Sequence, residues 1–147
     1  MGNEGRYALI TGSARGIGAA IAIEDAKEGY SGIGVNYSVD VESAEQTAKT
    51  IRDLGVRAEI YKADVSKKEE CEWMVKKFIE DFGKIDVLVN DAGGALKIPE
   101  GGFDEMPLEY WDSQIALNLS AAAYCSHFAV ADMKAKGTRG RIINISS

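Results

Sequence analysis

Short apolar runs alternate with longer stretches of helical periodicity along the whole chain. The first run, Tyr7-Ala8-Leu9-Ile10, ends at Thr11 and reads as a strand. Residues 16–28 follow a helical pattern in which Ile17, Ile21 and Asp25 share one line with Ala20 beside them, and Gly29 breaks it. A second strand is predicted over 33–37 and a second helix over 41–54, with Gly55 as its C-terminal stop. The third strand, 58–62, closes in Ala63-Asp64-Val65. Ser66 is placed to cap the next helix, with Glu69 three residues on completing a capping box. That helix carries Trp73, Val75, Phe78 and Ile79 and ends at Gly83. Residues 85–89 are largely apolar, the mark of a strand covered on both faces. A Gly-rich loop over 91–102 follows. Pro107 suits the first turn of a long helix reaching Lys136, and residues 141–145 form a fifth strand.

This rhythm predicts an α/β chain, one incomplete domain over 1–147, built as a Rossmann-like doubly wound parallel sheet. Right-handed crossovers give the order 3-2-1-4-5, with the sheet truncated after strand five. At 147 residues and 46% hydrophobic composition the chain is long enough to bury a core. It holds no apolar run of membrane-spanning length, and residues 1–6 lack the pattern of a signal peptide, so no membrane partner and a cytoplasmic location are expected. A net charge of -6 disfavours nucleic acid as a partner. Cys71 and Cys125 lie in helical patterns and read as reduced, buried thiols. His127, the one histidine, has no neighbouring ligand pattern, and no metal site is expected.

Candidate chemistry begins at Thr11-Gly12-Ser13-Ala14-Arg15-Gly16-Ile17-Gly18, where the first strand turns into the first helix. A phosphate-binding turn needs small residues that let backbone approach a pyrophosphate, and a helix N-terminus aimed at the anion. Gly12 suits the tight turn, Gly16 the close approach and Gly18 the packing of helix against sheet. The spacing is Gly-x-x-x-Gly-x-Gly.

That spacing, with the leading Thr11, resembles the short-chain dehydrogenase/reductase family. Further motifs recur in order along the chain. Ala63-Asp64-Val65 resembles the segment whose aspartate contacts adenine. Asn90-Asp91-Ala92-Gly93 resembles the family's Asn-Asn-Ala-Gly. Asn118 matches the asparagine of its long interface helix, and Asn144-Ile145-Ser146-Ser147 its catalytic-serine strand. The resemblance implies cofactor contacts from Gly12, Ser13, Arg15, Gly16, Ile17, Gly18, Asn36, Tyr37, Asp64, Val65, Asn90, Ala92 and Gly93. It implies catalytic roles for Ser147, which would polarise a carbonyl, and for Asn118, which would help hold a relay water. Asp91 departs from the family's second asparagine. Its charge either weakens cofactor binding or alters a hydrogen bond that stabilises the central strands, or it is a tolerated exchange with the backbone unchanged.

The end of strand two, where NAD-selective sites place an acid, holds Asn36, then Tyr37 and Ser38. With Arg15 as a cation for a 2′-phosphate, NADP(H) is the expected cofactor and NAD(H) the possible alternative. Arg15 as a solvated surface residue, with a site accepting both, is the competing reading.

The resemblance further implies carbonyl reduction, closest to 3-oxoacyl-acyl-carrier-protein reductases of fatty acid biosynthesis. The substrate would be a 3-oxoacyl thioester or similar ketone, free or carried on an acidic carrier protein. Intact relatives of this kind are homo-oligomers. The family's Tyr-x-x-x-Lys is absent: none of the six tyrosines has a lysine four residues on. The chain alone is therefore expected to be inert, as a truncated part of a longer enzyme. A non-catalytic NADP-binding or assembly module is the alternative. Lys134, Lys136, Arg139 and Arg141 form a basic cluster that either meets such a carrier or is a solvated helix end.

Overall fold

The computed structural model describes residues 5–146. Five parallel strands lie in the order β3-β2-β1-β4-β5. They are β1 (Tyr7–Ile10), β2 (Gly32–Tyr37), β3 (Arg57–Lys62), β4 (Val87–Asn90) and β5 (Arg141–Asn144). Helices α1 (Gly16–Lys27), α2 (Val41–Asp53) and α3 (Lys68–Phe82) make the first three crossovers. The fourth is a helix in three parts: α4 (Leu108–Ile115), a π-helical segment (Ala116–Ser120) and α5 (Ala121–Lys136). The expected topology is the observed one.

Strand alternation divides the core. On one face Leu9 and Leu88 pack with Met74, Phe78, Cys125 and Ala129 of α3 and α5. On the other, Ala8, Ile10, Ile33 and Val35 meet Ala22, Ala26, Ala48 and Ile51 of α1 and α2. Both cysteines are buried and unbridged, and Cys71 Sγ donates to Val65 O at 3.1 Å.

Small side chains let α1 approach the sheet closely, so its packed face is made by Gly18, Ala19, Ala22 and Ala26. Ile17 is 64% exposed. The capping box at Ser66 does not form: α3 starts at Lys68, after an N-cap, Lys67, that makes no side-chain cap bond. Ser66 instead donates its hydroxyl to Asp64 at 2.6 Å, and Glu70, not Glu69, accepts the Asp64 N–H at 3.0 Å. The fourth strand runs Val87–Asn90, two residues later at its start than the apolar run; Asp86, just before it, accepts the Tyr7 N–H with its side chain and donates its own N–H to Tyr7 O.

Among the described residues, no helix is long and apolar enough to cross a membrane. Nor do three or more His, Cys, Asp or Glu side chains gather as a metal site among them.

Candidate functional site

All five strands point their C-terminal ends to one edge, where a parallel sheet of this order has its crevice between β1 and β4. The turn from β1 into α1 occupies that place. Gly12 has φ +60°, and a Cβ there would stand 2.8 Å from Ala92 Cα, so both conformation and proximity demand glycine. Gly18 is equally constrained: a Cβ would meet Gly12 O at 2.5 Å and Asp91 Oδ2 at 2.7 Å. Above Gly16, by contrast, nothing lies within 4 Å. The first turn of α1 is thus open at Gly16 and covered at Gly18, and its N-cap, Arg15, contributes no side-chain bond.

The loop is held from below by Asn36. Its Oδ1 accepts the Gly12 N–H at 2.9 Å, and its Nδ2 donates to Tyr61 O at 3.1 Å and Ala63 O at 3.2 Å. Only 2% of Asn36 is exposed. Asn36 stands at the end of β2 and lines the cleft over this edge, with its side chain joining β1, β2 and β3 beneath the turn. Tyr37, the last residue of β2, and Ser38 beyond it also line the cleft. Ser13 is also turned inward, its Oγ donating to Ile10 O at 2.7 Å and accepting the Asn36 N–H at 3.0 Å. Thr11 Oγ1 accepts the N–H groups of Asp91 and Ala92 at 3.1 and 3.0 Å, tying the loop after β4 to the end of β1.

A cleft of about 280 Å³ opens over this edge. Gly12, Arg15, Tyr37, Asp64, Val65 and Gly93 line it, together with Asp91 and Ala92. Arg15 is 82% exposed and sits 3.5 Å from Asp40. Asp40 caps α2, and the Ser43 backbone N–H, with help from the Ser43 side chain and Arg15, holds its carboxyl below the usual range. Asp91 behaves oppositely: burial pushes its carboxyl up, and the Gly18 amide only partly opposes this.

A second cleft, about 220 Å³, meets the first at Ala92. Asn90, Asn118, Asn144 and Ser146 border it. Asn90 is buried; its Nδ2 donates to Ser126 Oγ at 3.1 Å and Asn144 Oδ1 at 2.9 Å, while its Oδ1 has no hydrogen-bond partner. Asn118 lies in the π-helical segment and accepts the Gly94 N–H at 2.9 Å. Ser147 lies outside the described residues. Motifs far apart in sequence, at residues 12–18, 63–65, 90–93 and 118, therefore meet along one edge. Sequence reasoning missed Ser38, Leu117 and Asn144 as lining residues. Each directly adjoins or belongs to a motif already singled out, and adjacency was the available signal.

The basic cluster is elsewhere. Lys136 ends α5 and Arg141 begins β5, at the opposite edge of the sheet. Lys136 Nζ donates to Gly83 O at 2.6 Å, and Arg141 Nη1 donates to Gly140 O at 3.0 Å.

Comparison with known proteins agrees with this arrangement. The uncharacterized oxidoreductase YohF of Escherichia coli (strain K12) is 39% identical over 97% of this chain and 54% of its own length. The 3-oxoacyl-[acyl-carrier-protein] reductase FabG of Staphylococcus aureus (strain Mu50 / ATCC 700699) is 37% identical over 97% of this chain and 56% of its own. The crystal structure of acetoin dehydrogenase from Enterobacter cloacae superposes with a TM-score of 0.91 at 33% identity, over 99% of this chain and 56% of that one. The chain spans about half the length of the curated relatives it matches. With the short chain dehydrogenase profile matching residues 6–147, the chain belongs to the short chain dehydrogenase family.

Proposed function

We propose that this chain is the dinucleotide-binding part of an oxidoreductase that reduces a ketone with NADPH. The observation that carries the reading is the open backbone at Gly16, at the start of α1, beside a cleft that continues past Ala92 to Asn118 and Ser146. The residues fit the group. Backbone at Ala14–Gly18 takes the pyrophosphate, Asp64 and Val65 border the adenine end, and Ala92 and Gly93 flank the passage to the second cleft. When bound, a nicotinamide dinucleotide supplies the hydride. The chain's own part is to orient it and to surround the carbonyl with polar groups from Asn118 and the serine-bearing end of β5.

NADP(H) is the proposed preference. No carboxylate projects into the cleft from the end of β2, and Arg15 is exposed enough to turn from Asp40 toward a 2′-phosphate. Asp40 tempers this preference, so NAD(H) remains a weaker ligand. The substrate is a small ketone or a 3-oxoacyl thioester, in keeping with relatives named for acetoin and 3-oxoacyl substrates. Because the basic cluster is at the far edge, a carrier protein would approach from another side.

The 147 residues bind cofactor without turnover. Among the described residues neither tyrosine nor lysine borders the second cleft. Calorimetry with NADP⁺ and NAD⁺ on the wild-type chain and on Arg15→Ala tests the reading. NADP⁺ affinity is expected to fall about ten-fold in the variant, with NAD⁺ little changed. Equal binding of both cofactors, indifferent to Arg15, contradicts the preference.

A further inference from the structure

Asp91 follows β4 where its loop crosses the start of α1. Its own N–H and that of Ala92 are both anchored on Thr11 Oγ1, which fixes the carboxylate over the first turn. Oδ2 lies over Gly18, 2.7 Å from the point a Gly18 Cβ would occupy, and the Gly18 amide favours the ionised carboxyl. With Arg15 contributing no cap, Asp91 is the anion held beside the positive end of this helix. It also borders the cleft. A dinucleotide's phosphates would approach the same helix end, so two anions converge on one positive pole.

The surrounding charges do little to relieve this. From the turn before α1 comes Arg15, exposed and engaged with Asp40 at 3.5 Å. From the end of β3 comes Asp64, another acid, with Lys67 3.8 Å away. The π-helical segment offers Leu117 and Asn118, and β1 offers Thr11 and Gly12, all uncharged. Burial already disfavours the ionised form of Asp91, and a bound phosphate would disfavour it further.

We propose that Asp91 sets the affinity and pH dependence of the dinucleotide site, its carboxylate taking up a proton from solvent when the phosphates bind. The inference rests on the dinucleotide reading above and adds a residue-specific control to it. The proton forms an O–H bond on Asp91, and no other bond is made or broken. Since the bound state holds the proton more firmly than the free state, binding strengthens as pH falls.

The test is isothermal titration of NAD⁺, which lacks a 2′-phosphate that would itself titrate, into the chain between about pH 5.5 and 8. Two buffers of different ionisation enthalpy report the proton count. For the wild type, Kd is expected to tighten about ten-fold across the range, with up to one proton taken up. Asp91→Asn keeps an acceptor over Gly18. It is expected to bind more tightly than the wild type at pH 8, without proton uptake. Asp91→Ser, smaller and neutral, is expected to behave likewise if the asparagine variant folds poorly. Binding by the wild type with no proton uptake and a flat pH profile overturns the inference and leaves the dinucleotide reading standing. No binding by any of the three proteins at any pH overturns both.

Discussion

At the end of β2 the Asn36 amide makes four uses of one buried side chain: it accepts from Gly12, donates to Tyr61 O and Ala63 O, and lies near Tyr37 O. Replacing Asn36 with aspartate, the change that a ribose-binding reading of this position would suggest, puts a carboxylate oxygen against two carbonyls. Asn36→Asp is expected to cost about 3 kcal/mol in urea denaturation, without converting the site to NAD. Tyr37→Asp, one residue on and at the cleft, is instead expected to shift preference toward NAD(H) in the same binding assay. Gly12→Ala strains a φ of +60° and pushes Cβ against Ala92. A loss of about 2 kcal/mol in stability is expected, with cofactor affinity falling alongside. The glycine spacing was readable from the chain, but the inward turn of Asn36 and Ser13 was not. A one-residue register choice decides which side chains of a strand end reach the cleft, and only the pairing of β2 with both neighbours settles it.

Between elements, legibility followed periodicity. Alternating apolar runs and helical stretches gave the strand order, because a parallel sheet leaves few crossovers to choose from. The caps were less legible. Ser66 and Glu69 have the spacing of a capping box, yet Asp64 offers Ser66 a nearer acceptor and Glu70 reaches the Asp64 N–H. Local patterns do not reveal such competition. The π-helical turn at Ala116–Ser120, which carries Asn118, had no sequence signature either. A clasp between β3 and α3 offers a pH test: the Tyr61 hydroxyl donates to Asp81 Oδ2 at 2.8 Å, and Lys77 Nζ is 2.9 Å from Oδ1. Burial alone would raise the Asp81 carboxyl, but Lys77 and Tyr61 hold it below 3.8. A depressed folded-state value adds stability above the unfolded-state value, and that stability is lost as pH falls through the folded one. Asp81→Asn is therefore expected to lower Tm at pH 7, with the gap to wild type closing in strong acid. A gap independent of pH would contradict the clasp.

For the molecule as a whole, β5 pairs only with β4 among the described residues, and Ile143 and Ile145 are 45% and 40% exposed. An apolar edge of this kind pairs readily with another strand. Light scattering is expected to show concentration-dependent association of the 147-residue chain, reduced by Ile143→Lys. Unchanged association would place the contact on another surface. Motifs spread over more than a hundred residues converge on one edge of the sheet, at the cleft we propose takes a dinucleotide. The most direct measurement is an amide NMR titration of the isotopically labelled chain with NADP⁺. The account predicts saturable shifts at Ala14–Gly18, Asp64, Val65 and Ala92–Gly94, with the far edge around Lys136 and Arg139 silent. No shifts, or shifts confined to that far edge, would contradict it.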